Sequence, residues 1–442
     1  MMRPVRTHAV ALLLPVIAAC AHQADRSGTL ATLHQVRPDT QEVPVDQGLN
    51  RAVQSYGDFL RQAPDSALAP EAMRRLADLK IEKEFGIQGD GKLVELPALG
   101  APAVTKFDAR TAARSHPEAP GSGPSAASER DLEQRAASQP GIPPANAAPQ
   151  LALPGGMDGD PASAGPLEAI KLYDELLAKY PQYALRDQVL YQKARAYEEL
   201  GQTEEAMNVM ERLVQENPRS RFSDEVQFRR AERFFIARKY REAESAYTAI
   251  VDGGSGSEYY EPALYKLGWT LYKQQLYPEA LHRYFAFLDY KVKTGYDFDA
   301  KHTEAEQRRV EDTFQVVSLS FSNIGGPDVI GSYFATNGHR SYEDRVYRYL
   351  AEFYLVKLRY QDAATIYKSF VAQYPFHQAS PHFSMRVVEI YDKGGFPQLV
   401  LTAKKDFAGT YGLQSDYWHH FDVNKSPEVL SYLKSNLKDL AN

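Results

Sequence analysis

Length, composition and charge place the chain among soluble, folded proteins. It has 442 residues, of which 43% are hydrophobic, which is enough for one extended repeat array or for about two to three ordinary domains. Lysine and arginine number 51 against 57 aspartates and glutamates, and this modest negative balance gives no indication of nucleic-acid binding. The only cysteine is Cys20, which excludes an intrachain disulfide and a thiolate metal cluster built from this chain alone.

The first residues have the layout of a secretory signal peptide. Arg3 and Arg6 precede the apolar, uncharged run Ala9–Ala19, and small residues lead into Cys20. The run has eleven residues, whereas a helix that spans a membrane needs about 20. We therefore predict a signal peptide at 1–19 rather than a transmembrane helix.

The end of this leader resembles a bacterial lipobox. Ile17-Ala18-Ala19-Cys20 matches its pattern, which implies cleavage before the cysteine and attachment of fatty acyl chains, such as palmitate, to Cys20. Two or three acyl chains hold a protein at a membrane essentially permanently, because each buried methylene contributes about 0.8 kcal/mol. Ala21 after the cysteine, in place of Asp, implies the outer membrane, with the body facing the periplasm. The alternative interpretation is an ordinary cleaved leader with a chance cysteine.

Two helical patterns and a low-complexity segment follow. Residues 20–48 are polar without a sustained period and are predicted to be a flexible tether, and 49–97 contains a predicted helix hairpin. The stretch 98–166 is rich in Pro, Ala, Gly and Ser, so it cannot bury enough apolar surface to offset its chain entropy, and we predict a disordered linker. A short helix near Glu129–Ala137 fits the sequence, but no partner for it is evident.

Internal repeats dominate the remainder of the chain, because similar residues recur 37 positions apart. The recurring positions are Ala169, Ala206, Ala243 and Ala280, then Tyr173, Met210, Tyr247 and Tyr284, then Leu176, Leu213, Ile250 and Phe287. We predict repeats at 167–290 and 344–412, one degenerate helical repeat at 291–343, and a C-terminal segment at 413–442. That segment contains a helix at Glu428–Leu440, which is either a cap or part of a further repeat.

The pattern resembles the tetratricopeptide repeat. The match is best over Asp187–Pro218, where Ala194, Tyr197, Gly201 and Ala206 occupy the family's places. The resemblance implies an all-α, right-handed solenoid of antiparallel helix pairs, although the period here is 37 rather than the family's 34. The phrases YGDFLRQAPDSALAPEA, YDELLAKYPQYALRDQVLYQKA and MERLVQENPRSRFSDEVQFRRAE are similar to envelope tetratricopeptide proteins, which include the BamD-type assembly lipoproteins and the partners of the Tol-Pal system.

In that family the first helices of successive repeats line a concave groove. The resemblance therefore points to a partner-binding groove with three sets of equivalent residues, which are Tyr191, Phe228 and Tyr265, then Arg195, Glu232 and Trp269, then Phe235 and Tyr272. Aromatic side chains flanked by charges suit an extended peptide or a partner helix. The alternative interpretation is that these aromatics pack between repeats.

No catalytic or metal site is predicted. Gly86–Lys92 reads as the start of a P-loop, but Leu93 replaces the required Ser or Thr, and His419-His420 lacks further ligands at metal-binding spacing. The prediction is a non-enzymatic scaffold or adaptor that binds envelope proteins or peptides and helps to assemble or coordinate outer-membrane machinery. It needs no cofactor beyond the lipid on Cys20, and no small-molecule substrate. The alternative is an accessory factor for peptidoglycan remodelling or polysaccharide export that binds a cell-wall enzyme or glycan.

Overall fold

Helices make up all the regular structure in the part of the chain that the computed structural model describes, which is residues 48–85, 129–138 and 161–441. Cys20, the predicted signal peptide and the Gly86–Lys92 motif lie outside these ranges. The helices are α1 (Gly48–Gln62), α2 (Ala69–Phe85), α3 (Glu129–Ser138), α4 (Pro161–Lys179), α5 (Arg186–Glu199), α6 (Thr203–Glu216), α7 (Ser223–Ile236), α8 (Tyr240–Gly253), α9 (Tyr260–Lys273), α10 (Tyr277–Lys293), α11 (Glu304–Ile324), α12 (Val329–Asn337), α13 (Glu343–Val356), α14 (Tyr360–Gln373), α15 (Ser380–Lys393), α16 (Pro397–Tyr411), α17 (Tyr417–His420) and α18 (Pro427–Ala441).

Consecutive helices pack as pairs, and the pairs stack into a solenoid of the tetratricopeptide type. In the six described pairs the first helix is called the A helix (α2, α5, α7, α9, α13 and α15), and the second the B helix (α4, α6, α8, α10, α14 and α16). Helix α11 packs between α10 and α13 and is counted with the A helices. Small residues allow close approach within a pair. In α9, a Cβ added to Gly268 would lie only 2.5 Å from Cε1 of the buried Tyr284 on α10. The all-α fold class predicted from the repeats is confirmed.

The turns after five of the A helices, α5, α7, α9, α13 and α15, repeat one backbone conformation. Gly201, Arg238, Gln275, Leu358 and Gly395 all have positive φ values, between 58° and 73°. The first three are 37 residues apart, as are the last two. This left-handed region is free of steric cost only for glycine, so the three non-glycine residues carry backbone strain.

Replacing Leu358 by glycine should therefore stabilise the chain. Leu358 is 66% exposed and has φ 59°, so little packing is lost and the strain is removed. We expect Leu358→Gly to raise the free energy of unfolding by about 1 kcal/mol, measured by urea unfolding. The matched control is Gly201→Ala, which has open space around its Cβ and φ 70°, and should lose a similar amount. A destabilised Leu358→Gly variant would contradict the strain argument.

One helix pair is divided by a long insertion. Tyr247 and Tyr367 each donate a hydrogen bond to a glutamate 15 residues earlier on the paired A helix. Tyr173 of α4 makes the same kind of bond, at 2.6 Å, to Asp78 of α2, which lies 95 residues earlier. Helices α2 and α4 are thus the A and B helices of one repeat, with about 80 additional residues between them. Within the hairpin predicted at 49–97, α2 makes its main contacts with α4 rather than with α1.

A buried ion pair lies at the centre of this divided pair. Arg74 and Asp78, only 2% and 5% exposed, approach to 2.5 Å, and the Arg74 guanidinium also reaches Glu71 at 2.6 Å. Tyr183, in the turn after α4, donates a hydrogen bond to the Glu71 carboxylate and accepts one from Arg74. These contacts join the two halves of the repeat across the insertion.

Acid should weaken this junction at Glu71. Its hydrogen bond with Arg74, assisted by Tyr183, lowers the pKa of the carboxyl from 4.5 to about 2. Because the folded pKa lies below the unfolded one, the contribution is complete above pH 4.5 and is lost as the pH falls toward 2. We expect Glu71→Gln to lower the urea midpoint at neutral pH, with the difference from wild type shrinking in that acid window. A difference that does not change with pH would contradict the assignment.

The structure corrects the predicted linker. Residues 129–138 and 161–166, which fall within the segment predicted as disordered at 98–166, are helical, and the rest of that segment lies outside the described residues. The expectation that Glu129–Ala137 lacks a partner is wrong, because α3 packs against α9 and α11. Leu132 and Ala136 are its buried residues, and they join the core that contains the aromatic residues of α9.

The irregular stretch and the C-terminal end also consist of helices. Helix α11 is followed by a short 3-10 helix at Gly326–Asp328 and by α12, which occupy the segment between the regular pairs. Helix α18 packs against α16 at the end of the array, with Val429 and Leu433 in a small core beside Phe407 and Tyr411. A terminal helix of this kind covers the apolar side of the last repeat.

Candidate functional site

A polar relay recurs along the A helices, and it includes one of the predicted groove residues. Glu232 of α7 accepts hydrogen bonds from Tyr247 of α8 and from Lys266 of α9, the latter at 2.8 Å. Glu352 of α13 accepts in the same way from Tyr367 and Arg386, at 2.8 and 2.9 Å. Each glutamate thus joins its own B helix to the next A helix.

The Glu232 carboxylate is engaged by two neighbouring side chains in the structure. Burial and the nearby Glu232 carboxylate raise the pKa of Tyr247 well above its usual value, so the phenol remains the donor. Lys266 is also buried, and its ammonium group lies 5.5 Å from the ring centre of Phe235. Glu232 therefore serves to compensate a buried charge.

The predicted groove residues of α5 and α7 pack between neighbouring helices. Tyr191 stacks on Phe222 with ring centres 4.2 Å apart, and its hydroxyl donates to the Glu225 carboxylate at 3.0 Å. Phe228 meets Tyr247 and Tyr259 with ring centres 5.7 and 5.5 Å away.

Two further predicted residues, Arg195 and Phe235, are also buried. Arg195 lies 3.9 Å from carboxylate oxygens of Glu198, Glu199 and Glu225, while Phe235 meets Tyr240 edge to face. In this arrangement they serve inter-repeat packing, and their contact with a partner stays a prediction.

The three predicted residues of α9 are also buried, but here helix α3, which lies outside the regular pairs, contributes to the packing. Tyr265, Trp269 and Tyr272 are 5% exposed or less, and α3 lies across the face of α9 and α11 to which Tyr265 and Tyr272 contribute. Burial and the nearby Glu129 carboxylate raise the pKa of the Tyr272 phenol above its usual value. A segment of the same chain therefore covers part of the predicted groove at α9, and the contact of these residues with a partner stays a prediction.

Charged contacts hold α3 in this position. The Arg135 guanidinium makes two bonds to the buried Asp312 carboxylate of α11, at 3.0 and 2.7 Å. Glu133 pairs with Lys273 at the end of α9, at 2.7 Å. Because Leu132 and Ala136 are one turn apart and flank these two charged residues in the sequence, α3 presents an amphipathic face to α9 and α11.

The repeat period shows where the same face continues beyond α3. Lys273 corresponds to Ile236 in α7, 37 residues earlier, and to Val356 at the end of α13. Ile236 is 64% and Val356 58% exposed. We call the surface marked by Ile236, Lys273 and Val356 the A-helix face. These apolar residues were missed in the sequence, although their common position at the end of an A helix was a signal.

The remaining candidates are the histidine pair, metal ligands and membrane-spanning helices. His419 and His420 lie on the short α17, and the His420 ring stacks on Phe376 with centres 4.1 Å apart. In the ranges described above, no three His, Cys, Asp or Glu side chains are grouped as metal ligands. Nor does any of the described helices combine the length and apolar character needed to cross a membrane.

The comparisons with known proteins agree with this architecture. Residues 159–224 match the family model described as tetratricopeptide repeat, from just before α4 to the start of α7. With the paired helices of the whole described body, this match supports a tetratricopeptide-repeat protein, a class that generally mediates protein–protein interactions and is typically non-enzymatic. No curated protein matches the chain.

Proposed function

We propose that the chain is a non-enzymatic scaffold that binds other proteins through its A-helix face. The observation that carries the proposal is the amphipathic helix α3, which lies on this face in the manner of a bound ligand. The exposed Ile236 and Val356 extend the same face along the array, where an apolar side chain exposed to water gains from burial in a complex.

We further propose that the scaffold is a lipoprotein of the bacterial outer membrane, anchored by acyl chains on Cys20 and facing the periplasm. The support is the sequence alone, namely the charged start, the short apolar run and the lipobox-like Ile17–Cys20. The role that follows is to assist the assembly or coordination of outer-membrane machinery, with no cofactor besides the lipid.

The anchor is tested in cells with Cys20→Ser. Wild type should incorporate radiolabelled palmitate and sediment with outer membranes, whereas Cys20→Ser should lose the label and leave the membrane fraction. Lipid anchoring would be contradicted if the Cys20→Ser protein sedimented with membranes as wild type does.

Binding is tested with a photoreactive residue at Ile236, compared with the same residue at Ser245. Ser245 is also exposed, but it lies on the B helix α8 and so is a matched control on the other layer. We expect one envelope protein to be crosslinked from position 236 and not from 245. Equal, scattered products from both positions would contradict the proposed face, and glycan or a wall hydrolase at 236 alone would favour peptidoglycan remodelling or polysaccharide export.

A further inference from the structure

Helix α3 is a short and lightly anchored element. It has ten residues, and of the side chains described in it only Leu132 and Ala136 are buried. A helix of this length is marginal in water by itself, so its order depends on the contacts with α9 and α11. Those contacts are few compared with the 20–30 residues per side of a typical stable protein interface.

The covered site has a defined chemistry. Tyr265 and Tyr272 provide its aromatic residues, with the Trp269 ring centre 5.6 Å from that of Tyr272. Asp312 provides a carboxylate that is only 2% exposed, and Lys273 provides a cation at the edge. Buried aromatics and paired charges are the residues that carry most of the binding energy in interfaces. A ligand for this site therefore needs a leucine and a small residue one turn apart, acidic groups near Tyr272 and Lys273, and a guanidinium for Asp312.

The repeat formed by α2 and α4 is held by contacts that do not involve α3. Residues 86–128 separate α3 from α2 and residues 139–160 from α4, while α2 and α4 hold each other through Asp78 and Tyr173. A segment of the same chain competes for its site intramolecularly, so a free ligand has to bind more strongly to replace it.

We propose that the α3 site is a docking site for an amphipathic, acidic helix of a partner protein, and that α3 is its built-in competitor. This inference rests on the proposed function, since it names the kind of segment that the A-helix face receives. The partner helix carries the α3 pattern, with acidic groups in place of Glu129 and Glu133 around an apolar pair, and a basic group in place of Arg135.

The experiment uses the purified mature full-length chain with Cys20→Ser. The probe is a fluorescein-labelled peptide of residues 126–141, and binding is followed by fluorescence anisotropy. The variant Leu132→Glu places a charge where a buried leucine stood, which should release α3 while the repeats stay folded. We expect the peptide to bind this variant at least about tenfold more tightly than the chain with native α3. A peptide that itself carries Leu132→Glu should not bind.

A charge exchange tests the register of docking. Lys273→Glu in the chain that also carries Leu132→Glu should weaken binding of the native peptide, and Glu133→Lys in the peptide should restore it, since these two side chains pair in the structure. A structural effect of Lys273→Glu alone would not be rescued by the exchanged peptide.

Release of α3 is measured separately through Trp269 emission in a Trp418→Phe background. If Trp269 shifts to the red in Leu132→Glu and the peptide still fails to bind, the docking site is contradicted, while crosslinks from Ile236 would leave the proposed function standing. Equal binding to both chains would show that α3 does not occupy the site. A wild-type dimer formed by exchange of α3 between two copies would also overturn the proposal.

Discussion

Asp78→Ala should separate the two halves of the divided repeat. Its carboxylate is the partner of Arg74, which is 2% exposed, and of the hydroxyl of the fully buried Tyr173. Removing one member of a buried ion pair leaves an uncompensated charge and costs about 3–5 kcal/mol. We expect helical signal from the N-terminal end of the array to be lost at lower urea than in wild type, measured by far-UV circular dichroism.

Two variants control this result. Glu82→Ala removes a half-buried carboxylate from the same helix, for which the described residues show no ion pair, and it should leave the urea profile nearly unchanged. Arg74→Met with Asp78→Leu removes both charges, and should recover part of the loss because no buried charge remains unpaired, although the Tyr173 hydroxyl still lacks its acceptor. An Asp78→Ala profile that overlays wild type would mean that α2 does not form a repeat with α4.

Glu232→Ala should destabilise the middle of the array to a similar degree. The change leaves the buried Lys266 ammonium and the Tyr247 hydroxyl without their acceptor. We expect a loss of about 3 kcal/mol in the free energy of unfolding, set mainly by the stranded lysine. Tyr247→Phe removes only one hydrogen bond, and should cost about 1 kcal/mol. Thermal and urea unfolding of the purified chain would give both values.

The same pair of measurements decides whether Glu232 acts in structure or in recognition. If it is structural, Glu232→Leu combined with Lys266→Met should recover much of the stability, as at Asp78. A Glu232→Ala chain as stable as wild type, with weaker crosslinking at Ile236, would instead make Glu232 a contact residue for the partner, as the sequence suggested.

The paired helices could be predicted because the residues that pack between them recur at a fixed spacing in the sequence. The alanines at 169, 206, 243 and 280 and the large residues four positions later recur with a fixed spacing, and each lies where two helices touch. Such contacts are local in sequence, so a single chain reveals them. The hydrogen bond between Glu232 and Lys266 follows the same period. Its role could not be predicted, because it depends on the distance between neighbouring A helices, which the sequence does not give.

The two features that escaped prediction both depend on distant contacts. The partner of α2 lies 95 residues further along the chain at Tyr173, so the closer α1 looked like the obvious neighbour. The sequence allowed a short helix near Glu129–Ala137, but the low-complexity composition around it gave no indication of its partners, which are Asp312 and the core that contains the aromatic residues of α9. Periodicity also cannot tell whether an aromatic residue such as Trp269 is buried by the next repeat, by a linker segment or by a partner.

Hydrogen exchange of α3 in the purified mature chain tests the central claim most directly. A free ten-residue helix exchanges its amides almost as an unfolded peptide does, so protection can come only from docking on α9 and α11. We expect the amides of α3 in the wild-type chain to exchange at least about tenfold more slowly than in the isolated peptide, and Leu132→Glu to abolish the difference. Exchange of wild-type α3 at the rate of the peptide would contradict an occupied A-helix face.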